Sequence, residues 1–200
     1  FFIVWGTTIS DIHPHLRNGL ITRQFRPFLY HLTLLKTTLS GRLALKSLQR
    51  LSSSAFAMNF QPRYFVSDFS AALRAAVAKE LPLTILVRCY IHILALFRIR
   101  KWRASYFIDG TNVAKVTKAI MLLHRCTTLP QFCKLSELCC KEWRENLNES
   151  SFADYFDRHL GPSSPCRGMW FLGCMGAVGP CPDNQPVEAY WRVLKGYADS

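Results

Sequence analysis

Between Tyr64 and Ile93 the chain reads YFVSDFSAALRAAVAKELPLTILVRCYIHI. An apolar run of strand character passes into an alanine-rich stretch of high helix propensity, Pro82 stops that helix, and a second apolar strand follows. Strand, helix and strand follow one another in this order, and each element needs another to cover its apolar face. One carboxylate, Asp68, stands where the first strand turns into the helix. Ser67 and Asp68 occupy the place of a helix cap, and a cap on a helix starting at Phe69 is the plain structural role for Asp68. A Cys-x-x-His, Cys89 to His92, closes the stretch.

The elements on either side extend the pattern. Phe1 to Trp5 is a continuous apolar strand, and "LITRQF" and "PFLYHLTLL" make two more around Pro27, after an Asn18-Gly19 turn. A meander of three strands is expected. From Gly41 to Met58 the period becomes helical, with Leu43, Ser47, Leu48 and Leu51 in step. "NVAKVTKAIMLLHRC", "PQFCKLSELCCKEWRENL" and "SSFADYFDRHL" read as amphipathic helices. Gly161 to Asn184 reads as a loop rich in Gly, Pro and Cys, and "QPVEAYWRVLKG" as a last helix with Pro186 in its first turn. Trp143 and Trp191, at helical spacing, are expected in the core.

Charge bears on partners. The 200 residues carry a net charge of +12, and half of them are hydrophobic. That composition buries a core, and so strong a basic excess points to a polyanion such as DNA, or else to a solubilising surface. The longest apolar stretch, "LPLTILVRCYIHILALF", carries Arg88 and His92 and is expected as strand and helix, not as a membrane span. The eight cysteines are irregularly spaced, as in a reduced nuclear or cytoplasmic protein. The opening Phe and the closing "GYADS" suggest a fragment or truncated gene product.

Three segments together resemble the catalytic domain of Mutator-like DDE transposases, of the RNase H-like superfamily. "VSDFSAALRAAVAKELP" is similar to the stretch around that family's second catalytic Asp, "CYIH" to its Cys-x-x-His, and "DNQPVEAYWRVLKG" to the segment carrying its catalytic Glu. The resemblance implies an α/β fold, an RNase H-like mixed β-sheet flanked by helices with a helical insertion before the last helix. Residues 1–110 would form the sheet core, 111–184 a helical insertion and Cys/Gly/Pro-rich loop, and 185–200 the last core helix, all in one domain. It also implies metal-dependent DNA strand cleavage and transfer, in which Asp68 and Glu188 hold Mg²⁺ between them. In that sheet the first strand lies beside the strand of Asp68.

The first acidic residue of the family has no counterpart: Trp5 occupies its place in "FFIVWGTT", and an indole cannot ligate Mg²⁺. Asp11 lies past the strand. "IDGT", Ile108 to Thr111, matches the short motif but comes after the Cys-x-x-His and is a decoy. The expected protein is therefore a degenerate, catalytically impaired transposase derivative. The alternative is a domesticated, non-catalytic module for DNA binding or protein interaction. Cys89 and His92 are candidate Zn²⁺ ligands if the strand ends near Tyr90, and otherwise a buried thiol and a core imidazole. "FRIRKWR" interleaves Arg98, Arg100, Lys101 and Arg103 with aromatic residues. It could follow a DNA backbone and stack on bases, or form a solvated helix face. A homodimer is compatible with a transposase origin; no interface is readable.

Overall fold

A computed structural model describes residues 2–12, 21–32, 35–68, 70–164 and 169–175; of 2–12 and 21–32 it describes the backbone pairing. The described chain forms seven α-helices and two separate two-stranded sheets. By internal contacts it divides into two units, one within residues 1–63 and 70–84 and the other within residues 64–69 and 85–183.

In the first unit β1 (Phe2–Ile12) and β2 (Ile21–Leu32) pair as an antiparallel hairpin. Trp5 faces Leu29 and Gly6 faces Pro27, so the register slips at Phe28. The slip absorbs Pro27, which has no N–H for a ladder. The two strands expected on either side of Pro27 are thus one continuous strand.

Helix α1 (Thr38–Phe56) begins at a reciprocal cap, with Thr37 Oγ1 accepting from Ser40 N–H and Ser40 Oγ from Thr37 N–H. It ends at Ala57 in the left-handed region, φ 52°. Its buried stripe is Ser40, Gly41, Ala44, Leu45 and Leu48, whereas Leu43 and Leu51 are exposed. The helical period was legible, but its inward face lies about a fifth of a turn from the expected one. A Cβ on Gly41 would come within 3.0 Å of Ala76 Cβ on α2 (Ala71–Glu80), so small residues let α1 and α2 approach closely. Arg42 Nε donates to Glu80 Oε1, and Gln49 Nε2 donates to the Glu80 carbonyl at 2.9 Å. The hydrogen bond from Arg42 holds the Glu80 carboxyl below its ordinary range.

In the second unit β3 (Tyr64–Ser67) and β4 (Ile85–Arg88) pair in parallel, Tyr64 opposite Ile85 and Ser67 opposite Arg88. Parallel neighbours need a crossover, and the chain supplies it in α2. Five helices follow: α3 (Tyr90–Leu96), α4 (Arg100–Tyr106), α5 (Asn112–His124), α6 (Leu129–Glu145) and α7 (Ser150–His159). Phe132, Trp143, Phe152, Phe156, Trp170 and Phe171 fill the core among them, every one at most 1% exposed. Trp143 stands edge-on to Phe152 and Phe156, as expected of a core indole. Trp191 lies outside the described residues.

Several polar groups inside this core are paired, whereas Ser136 Oγ is buried without a hydrogen-bond partner among the described residues. Trp170 Nε1 donates to the Leu160 carbonyl at 2.7 Å. The imidazole of His124 stacks on Tyr90 at 3.6 Å, and its Nδ1 donates to the Trp170 carbonyl at 2.8 Å. Glu149 is fully buried; its carboxylate accepts from the backbone of Ile108 (2.8 Å) and Asp109 (3.0 Å) and from Asn112 Nδ2 (3.0 Å). A buried carboxylate is tolerable only with such donors. It joins the start of α7 to the α4–α5 loop.

These findings correct the expected RNase H-like mixed sheet. Among the described residues β1 hydrogen-bonds β2 in one two-stranded sheet and β3 pairs with β4 in another, and no mixed sheet of the expected kind is formed. The described chain is mostly helical. Part of the reason is the apolar run after Pro82. Only Ile85–Arg88 is strand, and Tyr90–Leu96 is helix, because a short continuous apolar run suits a buried strand and a buried helix alike.

Candidate nucleic-acid interface

The second unit contains a short basic helix on an aromatic base. Helix α3 ends at Phe97, and the N–H groups of Phe97, Arg98 and Ile99 turn back onto the carbonyls of Leu94, Ala95 and Leu96. Helix α4 starts afresh at Arg100 and closes with Phe107 N–H on the Arg103 carbonyl. At about 100° per residue, Arg103, Arg100 and Lys101 span roughly 160° of α4, and Trp102 points away from the middle of that arc. The exposures follow this geometry. Arg98, Arg100 and Lys101 are exposed, Arg103 and Trp102 are half-buried, and Phe97 and Phe107 are buried.

The aromatic side of α4 packs on α7. The Trp102 ring meets Phe97 edge-on at 5.2 Å and Tyr155 at 5.3 Å. Tyr106 lies 4.5 Å from Tyr155, and Phe107 stacks on Phe152 at 4.9 Å. The interleaving of cations and aromatics thus resolves into two faces, cations outward and rings inward. Beyond α4 the Glu149 carboxylate fixes Ile108 and Asp109, which sets where the helix ends.

Charge in this unit is segregated along the chain. From Ile85 to Ser136, Asp109 is the one carboxylate against nine Lys and Arg, whereas Glu137 to Ser164 carries six carboxylates against three. On α6 and α7 opposite charges meet: Lys134 with Glu137, Lys141 with Glu145, and Arg144 with both Asp154 and Asp157. Arg98, Arg100, Lys101 and Arg103 form no ion pair among the described residues. Counting charge along the chain, and not as a total, exposes this asymmetry in the sequence itself. Glu149 had no such signal, since nothing local distinguishes it from a solvated residue before a helix.

Asp109 is engaged by its own loop. Its two carboxylate oxygens accept from Thr111 N–H (2.8 Å) and Thr111 Oγ1 (2.7 Å), a local turn that holds the carboxyl below its ordinary value. The motif at Ile108 to Thr111 is the entry to α5.

Asp68 follows Ser67 at the carboxyl end of β3, half-buried. It is not the helix cap, because α2 starts at Ala71 behind Ser70. Across the parallel pair, Cys89 N–H donates to the Ser67 carbonyl at 2.8 Å, so Asp68 and the Cys89–His92 step share one edge of the sheet. The strand does end at Arg88 and α3 begins at Tyr90, the turn that a shared metal at Cys89 and His92 requires. Cys89 is fully buried and His92 half-buried. Among the described residues, however, no group of three or more His, Cys, Asp or Glu side chains is placed to hold a metal ion. The described residues by themselves complete neither Mg²⁺ at Asp68 nor Zn²⁺ at Cys89 and His92. Glu188, Cys166 and Cys181 lie outside them.

Burial governs the thiols of α6: it pushes Cys139 up to about 11, with Cys126 and Glu142 adding to the effect, and Cys140 higher still, where Asp157 reinforces it. Cys140 Sγ donates to Asp157 Oδ1 at 3.3 Å. These are packing thiols, not nucleophiles. Among the described residues no helix is long and apolar enough to cross a membrane.

The chain matches no protein-family model, no curated protein and no solved structure.

Proposed function

We propose that this chain is a DNA-binding module, and that α4 with the preceding Arg98 is its contact surface. The observation that carries this reading is the unopposed charge of Arg98, Arg100, Lys101 and Arg103 on a helix whose other face is anchored in the core. Neutralising phosphates with fixed cations releases condensed counterions, so such a face binds a polyanion without any catalytic group. The net charge of +12 supports the same partner. A DNA partner suits a nuclear protein.

Of the two readings drawn from the sequence, this is the non-catalytic one. Strand cleavage needs carboxylates converging on two metal ions, and among the described residues the sheet meant to bring them together is not formed. No cleavage step is therefore derived for Asp68.

The test is fluorescence anisotropy with a labelled 20-bp duplex at 0.1 M salt. Replacing Arg98, Arg100, Lys101 and Arg103 together by Gln is expected to weaken binding at least ~10-fold. Unchanged affinity in that variant, or no binding by the intact chain at low salt, overturns the proposal.

A further inference from the structure

We infer that α4 grips the phosphate backbone of duplex DNA and does not stack on unpaired bases, an inference resting on the binding role proposed above. Single-strand binders join a basic groove to aromatic side chains on which bases stack. Here the aromatics of the basic segment are committed elsewhere. Phe97 and Phe107 are buried, Tyr106 lies against Tyr155, and Trp102 has Phe97, Phe107, Phe152 and Tyr155 around its ring. Presenting Trp102 to a base would turn its ring out of that cluster and expose apolar area now packed on α7. The outward arc offers guanidinium and ammonium groups, which bond phosphate oxygens of any sequence.

The consequences are quantitative. Each phosphate contact on duplex DNA steepens the log–log dependence of affinity on salt by about 0.9, so four cations account for a slope of roughly 3.6. Binding is sequence-indifferent, and the ring of Trp102 contributes packing alone.

The experiment measures affinity between 50 and 200 mM salt for two 20-bp duplexes of unrelated sequence and for a 20-nucleotide oligo(dT). The expected result is near-equal affinity for the two duplexes, no advantage for oligo(dT), and a slope reduced by about 3 to 4 when the four cations become Gln. Lys134→Gln with Lys141→Gln, on the charge-compensated α6, is expected to change the slope by less than about 1. Trp102→Phe, which keeps an aromatic ring in the cluster, is expected to leave binding to both probe types unchanged. Oligo(dT) bound at least about 10-fold tighter than duplex, a loss of single-strand binding in Trp102→Phe, or a slope indifferent to the four cations overturns the inference. The first two outcomes leave the DNA-binding role standing, whereas failure to bind either probe removes both.

Discussion

The carboxylate of Glu149 holds the backbone N–H of Ile108, 41 residues earlier in the chain, at 2.8 Å inside the second unit. The neighbouring N–H of Asp109 and the amide of Asn112 share the same carboxylate, and Asn112 also donates to the Leu147 carbonyl at 3.1 Å. One side chain therefore sets the geometry of the turn leaving the basic helix. Asn148, at φ 54°, makes the reversal that delivers Glu149 to this position.

Removing that acceptor strands three donors. Glu149→Ala is expected to destabilise the fold by about 2–4 kcal/mol, since each buried donor left without a partner costs on the order of 1–3 kcal/mol and the loop relaxes in part. Glu149→Gln keeps the shape and one acceptor oxygen, and is expected to cost less. Urea denaturation of the three proteins checks the order; an Ala variant as stable as the parent contradicts it.

Two glycines are close-contact positions of different tolerance. A Cβ on Gly173 would sit 1.9 Å from the Thr127 carbonyl oxygen, so Gly173→Ala must displace backbone and is expected to cost at least about 2 kcal/mol. At Gly41 the neighbour is the Ala76 methyl at 3.0 Å. Gly41→Ala is therefore expected to be nearly neutral, helix propensity offsetting the crowding, while Gly41→Val costs about 1–3 kcal/mol. Combining Gly41→Val with Ala76→Gly is expected to recover part of that loss. Additive effects in the double mutant would show that the two positions do not touch.

Thiol reactivity follows burial. With Cys139 raised to about 11 from an ordinary 9.0, its thiolate fraction near pH 8 is about 100-fold lower than that of an unperturbed thiol. Iodoacetamide with peptide mapping is expected to label half-buried Cys133 well before Cys139 and Cys140 in the folded protein, and all of them alike in urea. Early labelling of Cys140 would contradict its burial.

Acid is expected to weaken the fold in two stages. Burial, with the charges of Arg158 and Arg88, holds His159 below its ordinary 6.5, so the unfolded chain takes up that proton first and stability declines as pH falls through 6.5. Glu80 lies below its ordinary 4.5 because of Arg42, and Asp109 below 3.8 because of Thr111. Their contributions are fully present above those ordinary values and disappear as pH falls through the lower folded ones. Thermal melts across pH 3–8 check this. His159→Gln is expected to remove the upper stage, and Glu80→Gln to shrink the lower one.

Much of the helical content was legible along the chain. Pro82 ends the helix ahead of it, and the spacing of Val113, Val116, Ile120 and Leu123 marks α5 without reference to any partner. Periodicity and breakers act within a few residues, so local sequence determines them. The basic segment was equally visible, because charge is additive and needs no fold to be counted.

What the sequence alone determined is where most helices run and which stretch carries unopposed positive charge. Only the tertiary structure decided which strands pair, which face of α1 turns inward, and that Trp102 points to Tyr155 and not to solvent. Those choices depend on contacts between residues far apart in the chain. The apolar runs permit several such partnerships, and packing of the whole selects among them.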